Sequence, residues 1–523
     1  MSKRKSGSKE CQYGKNCFRV NRSHFEDYIH PHLEKLLDTE VGGASSCDSS
    51  PNVIVQQQLK ILLDKLIKQE LKRFIPVVLP NGRMAEKLKN AAPYNIFLTT
   101  VASSSATHSD PLSLTFLDLL DPSMGELESS VQFNFVVQID WLIAQYAAAR
   151  LHKLPLLILH GEDEPAIANY SRVLPNVSST MVKVPGAIGC HHAKVMLFFY
   201  KDKSMRVVIS TANLYQDDWD NRVQGFWISE RLPALSTDDS TSGESVTGFR
   251  ADLVRFLEHY GHQQLKAYIA RVKSSDFSSV KVFLLTSIPG RHRNNNFGHL
   301  RLASLLKQHS APVDSIHAII MQSSALGNFG KSAPEYLTGE IARSFQCSSG
   351  TSSRNTPEVK LIYPSLKNVT DSHDGLMGGG CLPYYKDAHN RQPWLNQFLY
   401  QWKSESRNRN RAMPHIKSYC RYSDEGLFWF VLTSANMSKS AWGVNRGSLN
   451  INSYEVGVAM FPRVMLDCGD HFPMSEKQQK NGTPVFKMPF DIPPVPYEAD
   501  DQPFCIEDMR DYQRELMVMQ GLM

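Results

Sequence analysis

The chain has 523 residues, 42% hydrophobic and 21% charged, with a net charge of +5. That is too long for one ordinary core and points to two large domains with a small appendage, while so mild a charge excludes a basic coat, so that any nucleic-acid surface has to be a local groove. The polar, basic start Met1-Ser2-Lys3-Arg4-Lys5-Ser6 and the lack of a long uncharged run argue against secretion and against a membrane span, and nine scattered cysteines, an odd number, argue for a reducing compartment.

The N-terminal segment carries Cys11, Cys17, His24 and His30 at the spacing C-x5-C-x6-H-x5-H. Two thiolates and two imidazoles complete a tetrahedral zinc shell, and a segment this short cannot fold on its apolar residues alone. The gap between the cysteines is wider than in DNA-reading fingers. With Tyr13-Gly14, Phe18-Arg19 and the closing His30-Pro31, residues 9–31 resemble the poly(ADP-ribose)-binding zinc finger. The resemblance implies one structural zinc, and it implies that Tyr13, Phe18 and Arg19 stack on adenine and hold the phosphates of poly(ADP-ribose).

Residues 38–52, rich in Gly, Ala, Ser and Asp, read as a flexible linker. Residues 53–75 place Leu59, Leu62, Leu63, Leu66, Ile67 and Leu71 at helical spacing between lysines. This predicts an amphipathic helix packed on the main body, with a partner or membrane surface as the other reading.

One phrase then occurs twice. Gly189-Cys190-His191-His192-Ala193-Lys194 leads to Ser210-Thr211-Ala212-Asn213, and Met413-Pro414-His415-Ile416-Lys417 leads to Thr433-Ser434-Ala435-Asn436. A lone His-x-Lys is expected by chance, but two, each followed at the same interval by Asn, are not. The apolar runs Val195 to Tyr200 and Arg206 to Ser210 flank a polar turn and predict a strand, turn and strand, repeated by His415 to Tyr422 and Leu427 to Leu432. His192 and Lys194 then share a strand face, and Asn213 returns to the same sheet end. Asp218-Trp219 before Gln224-Gly225 matches Ala441-Trp442 before Glu455-Val456, which makes Gln224 and Glu455 candidates for orienting a histidine through its other ring nitrogen. Histidine, lysine and asparagine together offer a nucleophile or proton donor, fixed charge and amide donors, which is what an anionic phosphoryl centre needs.

The pattern is similar to the phospholipase D superfamily, in which two such motifs meet across a pseudo-twofold axis. Its common members carry an acid shortly after each lysine, and Val195 to Phe199 and Ser418 to Tyr422 contain none. With Ser129 to Phe135, Ser287-Ile288-Pro289-Gly290-Arg291, Leu361 to Ser365, Ala412 to Lys417 and Ser434 to Gly443, the chain from about residue 93 to 496 resembles the tyrosyl-DNA phosphodiesterase family. The implied fold is α/β: two pseudo-symmetric phospholipase D-like sandwich domains, residues 80–275 and 276–523, sharing one site, preceded by the finger at 9–31 and a linker and helix at 32–79.

The implied activity is removal of topoisomerase I peptides and other adducts from DNA 3′ ends, single- or double-stranded. His192 is the nucleophile of a phosphohistidine intermediate and His415 the acid, then base. Lys194, Lys417, Asn213 and Asn436 bind the nonbridging oxygens, and no catalytic metal is implied. The same resemblance places Ser323, Ser324 and Ser438 near the DNA backbone and Phe135 at the scissile end. Arg407, Arg409 and Arg411 are candidates for DNA phosphate contacts or for a solvated loop. Ile188 stands where the family can present an aromatic residue, and the Met-rich tail departs from the family's aromatic C-terminus. A monomer in the nucleus is expected, with no membrane partner and with Lys3-Arg4-Lys5 as a short basic cluster. The other readings are a poly(ADP-ribose)-binding scaffold with an inactive body, and a phospholipase or nuclease.

Overall fold

The computed structural model describes residues 9–38, 54, 57–58, 61–62, 65, 78–164, 166–167, 170, 174–186, 188–236, 242–346, 356–466, 469–479 and 482–519. The linker expected at 38–52 lies, beyond Asp38, outside the described residues.

The first half is built on eight strands: β1 (Ile96–Thr99), β2 (Ser113–Leu114), β3 (Leu127–Asn134), β4 (Leu156–His160), β5 (Val177–Met181), β6 (Val195–Tyr200), β7 (Met205–Ser210) and β8 (Gly225–Ile228). They lie side by side in the order β2-β1-β8-β7-β6-β3-β4-β5. The second half contributes β9 (Phe283–Ser287), β10 (Ile319–Gln322), β11 (Val359–Ile362), β12 (Leu399–Tyr400), β13 (Ser418–Ser423), β14 (Gly426–Thr433) and β15 (Glu455–Met460), in the order β9-β15-β14-β13-β10-β11-β12. With the edge strand β2 set aside, the sheets have the same order and the same strand senses. In each, four antiparallel pairings are followed by two parallel ones. The verbal repeat is a repeat of topology.

The strand that leads from the first motif, β6, is a continuous apolar run because both its faces are covered. Val195, Leu197 and Phe199 of β6 enter a core that includes Val456 and Val458 of the second half and the helices Phe249–Glu258 and Leu265–Lys273. Met196, Phe198 and Tyr200 face outward onto helix Ile139–Ala148 through Trp141, Leu142 and Tyr146. The halves therefore share a core, and Gly225 marks the contact: a Cβ there would lie 2.5 Å from Leu432 Cδ1 and 2.7 Å from Ile416 Cδ1.

The arginine run corrects the sequence expectation. Arg409 is fully buried and donates to Thr99 O, while its guanidinium and that of Arg407 both pair with Asp110 Oδ2, at 3.2 and 3.1 Å. These two side chains join the halves and are not free for DNA. Arg411 is exposed and donates to Asp371 O. At the C-terminus, Phe504 fills the space over Gly379 and helix Ile506–Met519 follows it. Among the described residues, no helix is long and apolar enough to cross a membrane.

In the finger, Lys9–Glu10 pairs with Tyr28–Ile29, followed by helix Pro31–Asp38. Ile54, Gln57, Gln58, Ile61, Leu62 and Lys65 are helical, and the rest of the predicted 53–75 helix lies outside the described residues. Leu62 packs against Phe25 and Leu33, and Gln58 Nε2 donates to Cys17 O (2.6 Å) and Arg19 O (3.0 Å). Of the apolar positions expected on the main body, the one described, Leu62, is on the finger.

Candidate active site

The His-x-Lys segments immediately precede β6 and β13, and each is tied by its backbone to the opposite half. His192 N donates to Tyr454 O and Tyr454 N to Cys190 O, both at 3.0 Å. His415 N donates to Val223 O (2.9 Å) and Val223 N to Met413 O (3.0 Å). Tyr454 precedes Glu455 and Val223 precedes Gln224, so each tie delivers the orienting side chain of one half to the histidine of the other. Gly189 permits this approach, because a Cβ there would collide with Asn452 O.

Glu455 Oε2 lies 2.9 Å from His192 Nδ1, and Gln224 Nε2 lies 3.0 Å from His415 Nδ1. Each partner is itself held by the hydroxyl two residues before the motif asparagine: Ser434 Oγ donates to Glu455 Oε2 (2.5 Å) and Thr211 Oγ1 to Gln224 Oε1 (2.8 Å). With Nδ1 engaged, Nε2 is the nitrogen each ring presents to a substrate. Burial pushes both imidazoles below their ordinary range, opposed by Glu455 at His192 and by Asp218 at His415. Burial works to raise Glu455, but the charge and hydrogen bond of His192, with Ser434 and Lys194, hold it below the ordinary carboxylate value.

Lys194 Nζ donates to His192 O at 3.0 Å and Lys417 Nζ to His415 O, and both lysines are fully buried. Burial pushes Lys194 down to about 8, and burial together with the charge of Lys194 pushes Lys417 down to about 7. Two buried ammonium groups that repel one another favour a bound anion. The half-buried Phe135 borders them, its ring 5.5 Å from that of His192 and 5.8 Å from Lys194 Nζ.

Asn213 is anchored by its backbone, N to Asp218 Oδ2 (2.7 Å) and O to Trp219 Nε1 (2.8 Å), and its side-chain Oδ1 is buried without a partner. Asn436 Oδ1 accepts from Ser324 N (3.1 Å) and Ala325 N (3.0 Å), with the hydroxyls of Ser323 and Ser324 each 3.1 Å away, which leaves Nδ2 for the site. Ser323 and Ser324, expected at the DNA backbone, directly follow β10 and are fully buried, both turned to Asn436. Ser438 is half-buried and caps the short helix Lys439–Trp442. Ile188 stands 79% exposed beside the His192 segment.

The sequence reading missed two residues here. His191 is buried behind His192, with Nδ1 3.0 Å from Asn134 O and Nε2 2.9 Å from Tyr260 Oη, and nothing but its place in the phrase marked it. Asp218 Oδ2 lies 3.2 Å from His415 Nδ1, and the signal was the Asp218-Trp219 pair.

In the finger, Cys11, Cys17, His24 and His30 are all buried, and their donor atoms lie within 4.8 Å of one another. His24 Nε2 is 3.4 Å from Cys11 Sγ, 3.3 Å from Cys17 Sγ and 3.2 Å from His30 Nε2. Ligands 2.0–2.3 Å from a tetrahedral zinc are about 3.3–3.8 Å apart, so the donor set and spacing fit that ion. Tyr13, Phe18 and Arg19 are exposed, with the Arg19 guanidinium carbon 5.5 Å over the Tyr13 ring.

One half alone builds half a phosphate site, and the junction brings the two together. Residues 95–498 match the family described as tyrosyl-DNA phosphodiesterase, and residues 8–33 match the PBZ domain. Tyrosyl-DNA phosphodiesterase 1 of Drosophila melanogaster is 41% identical, covering 95% of this chain and 99% of its own, and that of Arabidopsis thaliana is 28% identical over 91% and 89%. The crystal structure of the yeast tyrosyl-DNA phosphodiesterase shares the fold, with a TM-score of 0.60 at 19% identity over 78% of this chain and 98% of that one. The chain belongs to the tyrosyl-DNA phosphodiesterase family and is a DNA-repair phosphodiesterase with an N-terminal PBZ finger.

Proposed function

We propose that this enzyme frees DNA 3′ phosphates from tyrosyl peptides of topoisomerase I, and from other 3′ adducts, in two displacements through a phosphohistidine on His192. In the first, His192 Nε2 bonds to phosphorus as the phosphorus–tyrosyl oxygen bond breaks, and the proton on His415 Nε2 passes to that oxygen. In the second, His415 takes a proton from water, whose oxygen bonds to phosphorus as the phosphorus–His192 bond breaks. Lys194, Lys417 and the amides of Asn213 and Asn436 neutralise the nonbridging oxygens. The observation that carries the reading is the pair of imidazoles held by Nδ1 at one junction, beside two buried lysines. Both half-sites are on one chain, so a monomer suffices. Phe135 and Ser438 border the DNA end, while Ser323 and Ser324 act through Asn436.

The finger binds zinc through Cys11, Cys17, His24 and His30, which fixes its loops. It presents Tyr13, Phe18 and Arg19 to poly(ADP-ribose), which brings the enzyme to broken DNA in the nucleus. The test of the chemistry is release of tyrosine from a 3′-phosphotyrosyl oligonucleotide in EDTA, with denaturing gels to detect protein bound to DNA. Turnover lost in His192→Ala, and slowed with covalent adduct accumulating in His415→Ala, supports the two steps. A folded wild-type protein without turnover overturns them.

A further inference from the structure

The two halves are alike except in where they keep their acids. Gln224 and Glu455 are equivalent: Gln224 immediately precedes β8 and Glu455 opens β15, the strands next to the motif hairpins, and each bonds the hydroxyl two residues before the motif asparagine. One is an amide and the other a carboxylate. Five residues after the asparagine the inequality is reversed, with Asp218 after Asn213 and Ala441 after Asn436. Asp218, in helix Gln216–Asp220, is fully buried, and its Oδ2 reaches both Asn213 N (2.7 Å) and His415 Nδ1 (3.2 Å). The result is one carboxylate on each imidazole, reached by different routes.

We propose that Asp218 is a positioning residue for the acid–base histidine, supplying His415 with the counter-charge that Glu455 supplies to His192. The proposal rests on the role of His415 given above. A tyrosyl oxygen leaves as a strongly basic phenolate unless it is protonated, since the side chain titrates near pH ~10. An imidazole buried beside Lys417 and Lys194, with only the neutral Gln224 on Nδ1, would hold its proton poorly. The anion of Asp218 raises the share of rings that carry that proton before the first step, against the burial that holds His415 low, and stabilises the imidazolium that forms when His415 takes a proton from water. Lys417 and His415 in turn hold Asp218 below the ordinary carboxylate range against its burial. Arg222 and Cys381 also lie near this cluster, and Arg222 is already paired with Asp217 and Asp374.

The test compares single-turnover release of two 3′ leaving groups, tyrosine and the far less basic 4-nitrophenol, between pH 5 and 9. The proteins are wild type, Asp218→Asn, His415→Ala and the double variant Asp218→Asn/Gln224→Glu. Asp218→Asn is expected to slow tyrosine release about 10–100-fold, with the loss of protonated His415 moved to lower pH, and to change 4-nitrophenol release less than about 3-fold. The double variant, which copies the Glu455 arrangement into the first half, is expected to regain tyrosine release to within about 5-fold of wild type. Equal losses on both leaving groups, or no loss, overturn the proposal, since a role only in seating Asn213 would affect both alike. If Asp218→Asn does not fold, the double variant decides: a wild-type ratio of tyrosine to 4-nitrophenol rates supports the proposal and a collapsed ratio overturns it. His415→Ala separates the two levels. If its removal does not discriminate between leaving groups, the reading of His415 as the acid fails; if it does and Asp218→Asn does not, only the role of Asp218 fails.

Discussion

Glu455 Oε2 lies 2.9 Å from His192 Nδ1, although the glutamate opens β15 in the second half and the histidine precedes β6 in the first. The carboxylate fixes the tautomer and the ring plane, and in the proposed mechanism it balances the positive charge of the phosphorylated imidazole. Glu455→Gln is therefore expected to lower kcat for tyrosine release about 10–100-fold while the protein still folds, because the amide retains a contact to Ser434. Steady-state kinetics beside a thermal melt check this, and a change under about 3-fold would show that the ring needs no carboxylate.

The lysines set the alkaline side of the pH profile. A buried ammonium is present below its pKa and is lost as pH rises through it, so with Lys417 held down to about 7 and Lys194 to about 8, kcat/KM should fall above neutrality. A bound phosphate favours the charged forms, so the fall in kcat should come at higher pH than the fall in kcat/KM. Profiles of both constants between pH 6 and 10 measure the separation. A kcat/KM that stays flat to pH 10 would contradict it.

The repeated phrase and its hairpins were legible because the duplication is in the chain itself. Strands β6 and β14 showed as apolar runs because both faces are buried, and Gln224 and Glu455 showed as polar residues at the start of the next strand. The crossing of partners was not legible, since spacing within a half does not say which half a side chain reaches. Asp218 appeared only as one side of a phrase whose counterpart is Ala441. Arg407 and Arg409 read as a basic loop because their anion, Asp110, lies on the other half, 299 residues before Arg409. The amphipathic pattern of 53–75 gives a helix face and says nothing of what covers it, so the contact of Leu62 with the finger could not be foreseen.

Arg409 is a test of that burial. Arg409→Ala leaves Asp110 paired with Arg407 but strips the donors from the Thr99 and Arg407 carbonyls, so it should destabilise the protein by about 1–3 kcal/mol. Arg411, exposed on the same run, should tolerate the same change within about 0.5 kcal/mol. Urea unfolding of the two variants compares them directly, and equal stability would place Arg409 outside the junction that joins the halves.

Gln58 links the helix to the finger at the segment with the most to do. Its amide donates to Cys17 O and Arg19 O, either side of Phe18, so it braces a zinc ligand and two residues proposed to hold poly(ADP-ribose). Gln58→Ala leaves those carbonyls without a donor in a buried place, a loss of about 1–2 kcal/mol, and should weaken poly(ADP-ribose) binding by the full-length protein about 5–30-fold. Zinc removal should abolish that binding outright, since a finger of this size depends on the metal to fold. Neither change should alter release of tyrosine from a short oligonucleotide, because the reacting groups all belong to the two large halves. Measuring affinity and turnover on the same preparations separates the two activities, and a parallel loss of turnover would mean that the finger contributes to the active site.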